Sequence, residues 1–168
     1  MRLNEDFYTQ DALLVASNLI GKLLVRKLPT SEIIKKRITE TEAYLDHTDT
    51  ASHARFGKTE RNKIMYQQGG YSYVYLCYGI HYLFNVVSGI ENSAQAVLIR
   101  GVEGFNGPGK MTKIMRIDKN LNGVNLMISD QIWIEDDGYK AKCKTTKRIG
   151  IDYATDEYRN KKWRFIME

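Results

Sequence analysis

Cysteine is scarce. Cys77 and Cys143 are the only two, too few for a disulfide framework, so a reduced, cytosolic chain is expected. Proline is equally rare, with two residues against 13 glycines, and no repeat or low-complexity segment interrupts the chain. Residues 64–90 lack Asp, Glu, Lys and Arg, but they hold six Tyr, four Gly, two Gln, a His and an Asn. That stretch is too polar to cross a bilayer. Residues 1–6 carry one Arg and two acids with no apolar run, so no signal peptide is expected and the chain reads as soluble. G-x-S-x-G, a Walker A loop and a dinucleotide fingerprint are also missing, which leaves three large enzyme classes without support.

What is present is 168 residues with 43% hydrophobic and 27% charged side chains, enough for one core without staples. Lys and Arg number 25 against 20 Asp and Glu, and the resulting +5 leans toward a polyanionic partner. Ala12, Leu13, Ala16, Leu19 and Ile20 make a helical stripe, predicting a helix over 9–20 with Thr9 near its cap and Gly21 at its end. Strands are predicted over 22–28 and 32–45, joined by a turn at Pro29-Thr30-Ser31, before a polar loop over 46–63. Tyr71, Tyr73 and Tyr75 recur with period two, so one strand face carries three phenols. Gly79 separates that strand from one over 82–87, predicting a hairpin with Tyr78 at its tip. A strand over 96–102, a helix near 110–117 opened by Gly107-Pro108-Gly109, and strands near 131–134, 139–148 and 163–167 complete the chain. The expected fold class is α+β, one domain over 1–168.

The densest ionisable cluster runs from Glu40 to His47 and on to Asp49 and His53. On a strand, Glu40, Glu42 and Tyr44 share a face, and a half-buried carboxylate beside a ring is suited to act as a general base. The plain alternative is a solvated acidic loop. A metal site built from Glu42, His47, Asp49 and His53 is the other alternative, although the His-to-His gap fits no helical two-His motif. Most of the tyrosines suit a sheet core. Tyr78 does not, because a ring beside the glycine of a tight hairpin has no core to fill, and it can wedge between stacked bases. Three basic runs surround these residues: Arg55, Lys58, Arg61 and Lys63; Lys140, Lys142, Lys144, Lys147 and Arg148; Arg159, Lys161, Lys162 and Arg164. With interleaved aromatics they suit a phosphate-tracking surface.

These residues fall into a recognisable order. Glu40-Thr41-Glu42-Ala43-Tyr44, Ala51-Ser52-His53, Arg61-Asn62, Tyr73-Val74-Tyr75, Tyr78-Gly79, Asn85, Val97-Leu98-Ile99-Arg100, Gly107-Pro108-Gly109-Lys110, Asn125-Leu126 and Arg148-Ile149-Gly150-Ile151 follow one another across nearly the whole chain. The sequence resembles the alkyladenine (3-methyladenine) DNA glycosylases of mammalian type, here as a bacterial member. His81 stands where that family often has Tyr, beside the wedge, so local DNA contacts and pH dependence are expected to differ. The chain is also shorter than many relatives, so their auxiliary DNA contacts do not carry over by position, whereas the pocket does.

The resemblance implies a single mixed domain with a curved antiparallel β-sheet core, flanking helices and a protruding β-hairpin, like the formyltransferase C-terminal domain. It implies a monofunctional DNA glycosylase of base excision repair, without lyase activity, metal or cofactor. Such an enzyme flips alkylated or deaminated purines (3-methyladenine, 7-methylguanine, hypoxanthine, ethenoadenine) out of double-stranded DNA. It then hydrolyses the N-glycosidic bond with water as nucleophile. Carried over by position, Glu42 is the water-activating base, and Arg100 holds the water with the carbonyl of Ile151. Tyr44, His53 and Tyr75 sandwich the base, Asn85 lines the pocket and Tyr78 fills the gap in the duplex. A monomer in the cytoplasm, associated with the nucleoid through DNA and not with a membrane, is implied as well. Two rivals from other classes remain: a non-catalytic binder of damaged or single-stranded DNA, and a metallohydrolase using His47 and His53.

Overall fold

The computed structural model describes residues 1–168. Helices α1 (Glu5–Tyr8) and α2 (Ala12–Leu19) come first, then strands β1 (Leu23–Lys27) and β2 (Ile33–Tyr44). A loop and a short 3-10 turn (Lys63–Tyr66) lead to β3 (Ser72–Cys77), β4 (His81–Ser88), β5 (Gln95–Val102) and β6 (Phe105–Asn106). Helix α3 (Pro108–Ile114), strands β7 (Ile132–Glu135) and β8 (Cys143–Thr146), helix α4 (Asp156–Arg159) and β9 (Arg164–Met167) follow. The expected α+β class is the class observed.

All strand pairs between these elements are antiparallel, in the order β3-β4-β5-β2-β1-β7, with β6 on β5 and β8 on β9. The long strand β2 changes partner halfway. Ile33 to Arg37 pair with β1, whereas Glu40, Thr41 and Glu42 lie between β5 and β9. A register irregularity between Ile38 and Thr41 marks the change, and such bulges bend a strand and re-aim its side chains. Gly101 faces it across the sheet, where an added Cβ would lie 3.1 Å from Thr39 Oγ1.

Alternation then sorts the side chains. Thr41, Ala43, Val74, Phe84, Val86, Val97 and Ile99 are buried on one face, most of them in the main core with Ala16 of α2, Met111 of α3 and Met115 just past its end. Thr41 also donates its hydroxyl to Ala16 O at 2.8 Å. The alternate positions Glu40, Glu42, Tyr44, Tyr73, Tyr75, Asn85, Leu98 and Arg100 therefore point to the other face. That face carries the candidate site.

Several boundaries differ from the sequence expectation. The helix expected over 9–20 starts later, as α2, where Asp11 is the cap and accepts the Leu14 N–H at 3.0 Å, while Thr9 instead caps the C-terminus of the separate turn α1. Helix α3 ends at Ile114 because Arg116 turns left-handed, with φ of 51°. The strand predicted over 139–148 shrinks to Cys143–Thr146, the length its partner Arg164–Met167 can pair.

Candidate active site

The hairpin β3–β4 closes through Tyr78 and Gly79, whose φ values are 52° and 67°. Left-handed glycine is unstrained, but a tyrosine there costs about 1–3 kcal/mol, a strain often found at functional sites. Tyr78 is 92% exposed, so the fold gains nothing from packing it. Beside the turn, where His81 pairs with Cys77, the His81 ring lies so near Gly109 that a Cβ there would sit 2.8 Å from it.

Below the hairpin is a cavity of about 570 Å³. Its lining includes Tyr44, His53, Tyr75, Asn85, Arg100 and Ile151, with Tyr78 at the rim. That volume falls within the roughly 300–1,000 Å³ typical of small-molecule sites. His53 and Tyr75 lie 4.4 Å apart, centre to centre. A base between two rings needs roughly 7 Å, two contacts of about 3.5 Å, so His53 and Tyr75 form one continuous wall and do not face each other. Asn85 donates its amide N–H to Tyr73 O at 3.1 Å, which fixes its orientation beneath that wall.

His53 comes from the 46–62 loop and is held by a 2.9 Å hydrogen bond between Nδ1 and the Tyr73 hydroxyl. Burial, then Arg61 and Arg55, lower its pKa to about 4, so the imidazole is neutral at physiological pH. Burial raises Tyr73 to about 12 and pushes Tyr75 up as well.

Glu42 is wholly buried behind the cavity wall. Its Oε1 accepts the Tyr44 hydroxyl at 2.9 Å and lies 3.6 Å from Arg100 Nη1. Its Oε2 accepts the Ile149 N–H at 2.6 Å. Burial raises the Glu42 pKa, against the opposing pull of Arg100, the Ile149 amide, the Tyr44 hydroxyl and Arg148. Arg100 is itself tied through Nε to Glu40 Oε1 at 3.1 Å, and Arg164 Nε meets the same oxygen at 2.5 Å. Two acids two residues apart on β2 thus face two arginines, one from each neighbouring strand.

The structure brings Tyr44, His53, Tyr75, Asn85 and Arg100 to one cavity, places Glu42 against it and leaves Tyr78 on the rim. It does not gather Glu42, His47, Asp49 and His53 into a ligand cluster: His47 is exposed and Asp49 is paired with Arg148. Two arginines leave the solvated basic runs. Arg148 is buried, and Arg164 is engaged with Glu40. Sequence reasoning missed both pairs and the Ile149 amide on Glu42. The burial of Arg148 had no local signal, because the four lysines before it are all exposed.

Comparison with known proteins identifies the family. The family model for methylpurine-DNA glycosylase matches residues 6–105 and 103–168. A Borreliella burgdorferi protein named "Putative 3-methyladenine DNA glycosylase" is 45% identical over 96% of this chain and 94% of its own length. Proteins of the same name from Natranaerobius thermophilus (42% identical, 99% of this chain, 96% of that one) and Clostridium perfringens (38%, 100% and 96%) are similar over the same span. The chain belongs to the methylpurine-DNA glycosylase family.

Proposed function

We propose that this DNA glycosylase, a hydrolase of N-glycosyl bonds, is monofunctional and acts as a monomer in the cytoplasm. It flips 3-methyladenine, 7-methylguanine, hypoxanthine or ethenoadenine out of duplex DNA, and water displaces the base to leave an intact abasic strand. The observation that carries this reading is a buried carboxylate, Glu42, held beside Arg100 against an aromatic cavity. Flipping costs a few kcal/mol, less for a damaged or mispaired base, which supplies part of the selectivity.

In this reading Glu42 takes the water proton, while Arg100 and the Ile151 carbonyl hold the water. Each Glu42 oxygen has one protein hydrogen bond and a lone pair to spare. Tyr44 on one side and the His53–Tyr75 wall on the other stack the base. A neutral His53 suits a cationic alkylated purine, because an imidazolium would repel it. A panel of duplexes, each with one modified purine, assayed for free-base release tests the whole reading. Release from none of them would overturn it.

Tyr78 is the wedge. Tyr78→Ala is expected to weaken the flipped state of an ethenoadenine duplex by several-fold while leaving salt-dependent association unchanged, because Lys and Arg at phosphates govern the latter. The melting temperature should stay put, since the ring packs on nothing. Ethenoadenine fluorescence separates the two steps, and an unshifted flipping equilibrium would remove the wedge role.

Asn85 sets purine choice. Its side chain is fixed by the Tyr73 carbonyl, so the 2-amino group of guanine meets a steric conflict or an unpaired donor. Asn85→Ser should relax rejection of guanine about tenfold with little change in hypoxanthine release, in line with about 1–3 kcal/mol for one misplaced group. Excision from both duplexes, read beside melting temperature, checks this. Equal losses in both activities together with lower stability would make Asn85 structural.

A further inference from the structure

The basic run that ends at Arg148 departs from its pattern at that residue. Arg148 and Asp49 are both wholly buried and meet fork to fork, Nη1 on Oδ2 at 2.7 Å and Nη2 on Oδ1 at 3.0 Å. We propose that this buried pair consists of positioning residues that hold Glu42 and its two hydrogen-bond donors, the Tyr44 hydroxyl and the Ile149 amide, in their working arrangement. The inference rests on reading Glu42 as the base.

Arg148 Nη1 also donates to Ala43 O at 3.0 Å. Ala43 is the residue between Glu42 and Tyr44, so the guanidinium grips β2 at the point from which both side chains depart. The guanidinium also lies between two rings, 4.8 Å from Tyr44 and 4.9 Å from Trp163. Tyr44 lines the cavity, so Arg148 supports that wall from within the protein. Ile149 follows directly in the chain, and holding Arg148 therefore places the peptide N–H that reaches Glu42 Oε2. Asp49 completes the frame by accepting the N–H groups of Leu45 and Ala51, each at 3.0 Å, while Arg148 Nη2 reaches Tyr158 O at 3.3 Å. One ion pair thus joins the end of β2, the loop that carries His53, the Arg148–Ile151 segment and α4.

Stability alone is a poor account of the pair. A buried ion pair can often be replaced by packed hydrophobic residues at no loss, and Arg148 Nε has no partner at all. What hydrophobic residues cannot supply is a planar fork that binds two backbone carbonyls and a carboxylate in fixed directions. Arg148 is not among the residues that line the cavity, so its effect passes through Glu42, Tyr44 and Ile149.

The test compares wild type, Glu42→Gln, Arg148→Lys, Asp49→Asn and the double variant Asp49→Leu/Arg148→Met on a duplex methylated with dimethyl sulfate. Single-turnover base release, the dissociation constant for that duplex and near-ultraviolet circular dichroism are measured for each. Arg148→Lys keeps the charge and loses the fork, so it should fold and bind within about threefold of wild type yet release base at least tenfold more slowly. The hydrophobic double variant should melt no lower than Arg148→Lys and remain slow. Base release within threefold of wild type, by the double variant or by folded Arg148→Lys, would overturn the positioning role. Failure of both Arg148→Lys and Asp49→Asn to fold would overturn it too, leaving the pair purely structural. Full activity in Glu42→Gln removes the premise and the inference with it. An inactive Glu42→Gln beside a fully active Arg148→Lys overturns the positioning role alone.

Discussion

Glu42→Gln is expected to lower single-turnover base release by about 10²- to 10⁴-fold, the usual worth of a positioned general base, while lesion binding stays within a few-fold of wild type. Gln keeps an oxygen for the Ile149 N–H and a group that can meet the Tyr44 hydroxyl, so the cavity retains its shape. Only the basic oxygen is lost. Stability should move the other way. Burial raises the Glu42 pKa, so between its unfolded and folded values the native protein binds the extra proton. Its favourable contribution is therefore full below the unfolded value and lost as pH rises through the folded one. The Gln variant has no such loss, so its melting temperature should gain on wild type between acidic and neutral pH. Excision within about tenfold of wild type, an effect below the general-base range, would remove Glu42 as the base.

Arg100→Ala should slow release by roughly ten- to a hundredfold, the worth of one charged hydrogen bond, and should also move the acid limb of the pH–rate profile upward. The direction follows from the groups around Glu42. Tyr44 shares its strand, Arg100 comes from β5, Arg148 and the Ile149 amide come from the loop after β8, and Arg164 on β9 is engaged by Glu40. Tyr75 and Tyr153 feel its charge from the cavity side. Arg100 is the largest influence favouring the ionised form, so without it burial raises the pKa further. More of the enzyme is then protonated, and inactive, at a given acidic pH. Glu40 keeps Arg164, which limits damage to the fold. A slower enzyme with an unmoved acid limb would show that Arg100 orients the water or the DNA without tuning Glu42.

Much of this arrangement is local, and local patterns are legible in a sequence. Two-residue alternation put Glu40, Glu42 and Tyr44 on one face of β2 and Tyr73 and Tyr75 on one face of β3, and the strands formed where β-branched and aromatic residues gathered. Gly79 announced the hairpin, and Tyr78 beside it had no core to enter, which its exposure bears out. Boundaries were less legible. Asp11 competes with Thr9 as a cap, and nothing near Arg116 signals a left-handed residue.

By itself the sequence determined the α+β class, the strands that carry the site and the residue types available to it, because a strand's pleat depends only on the next residues along the chain. Tertiary structure alone decided which acids and bases meet. Asp49 was equally available to a metal, to solvent or to an arginine, and its Arg148 lies 99 residues away. The Ile149 amide reaches Glu42 across 107 residues, and Arg164 reaches Glu40 across 124. Separations of that length leave no trace in periodicity. Arg164 meets Glu40 because antiparallel pairing lays β9 along β2, and the other two contacts form because a buried charge must find a partner wherever the folded chain brings one within reach.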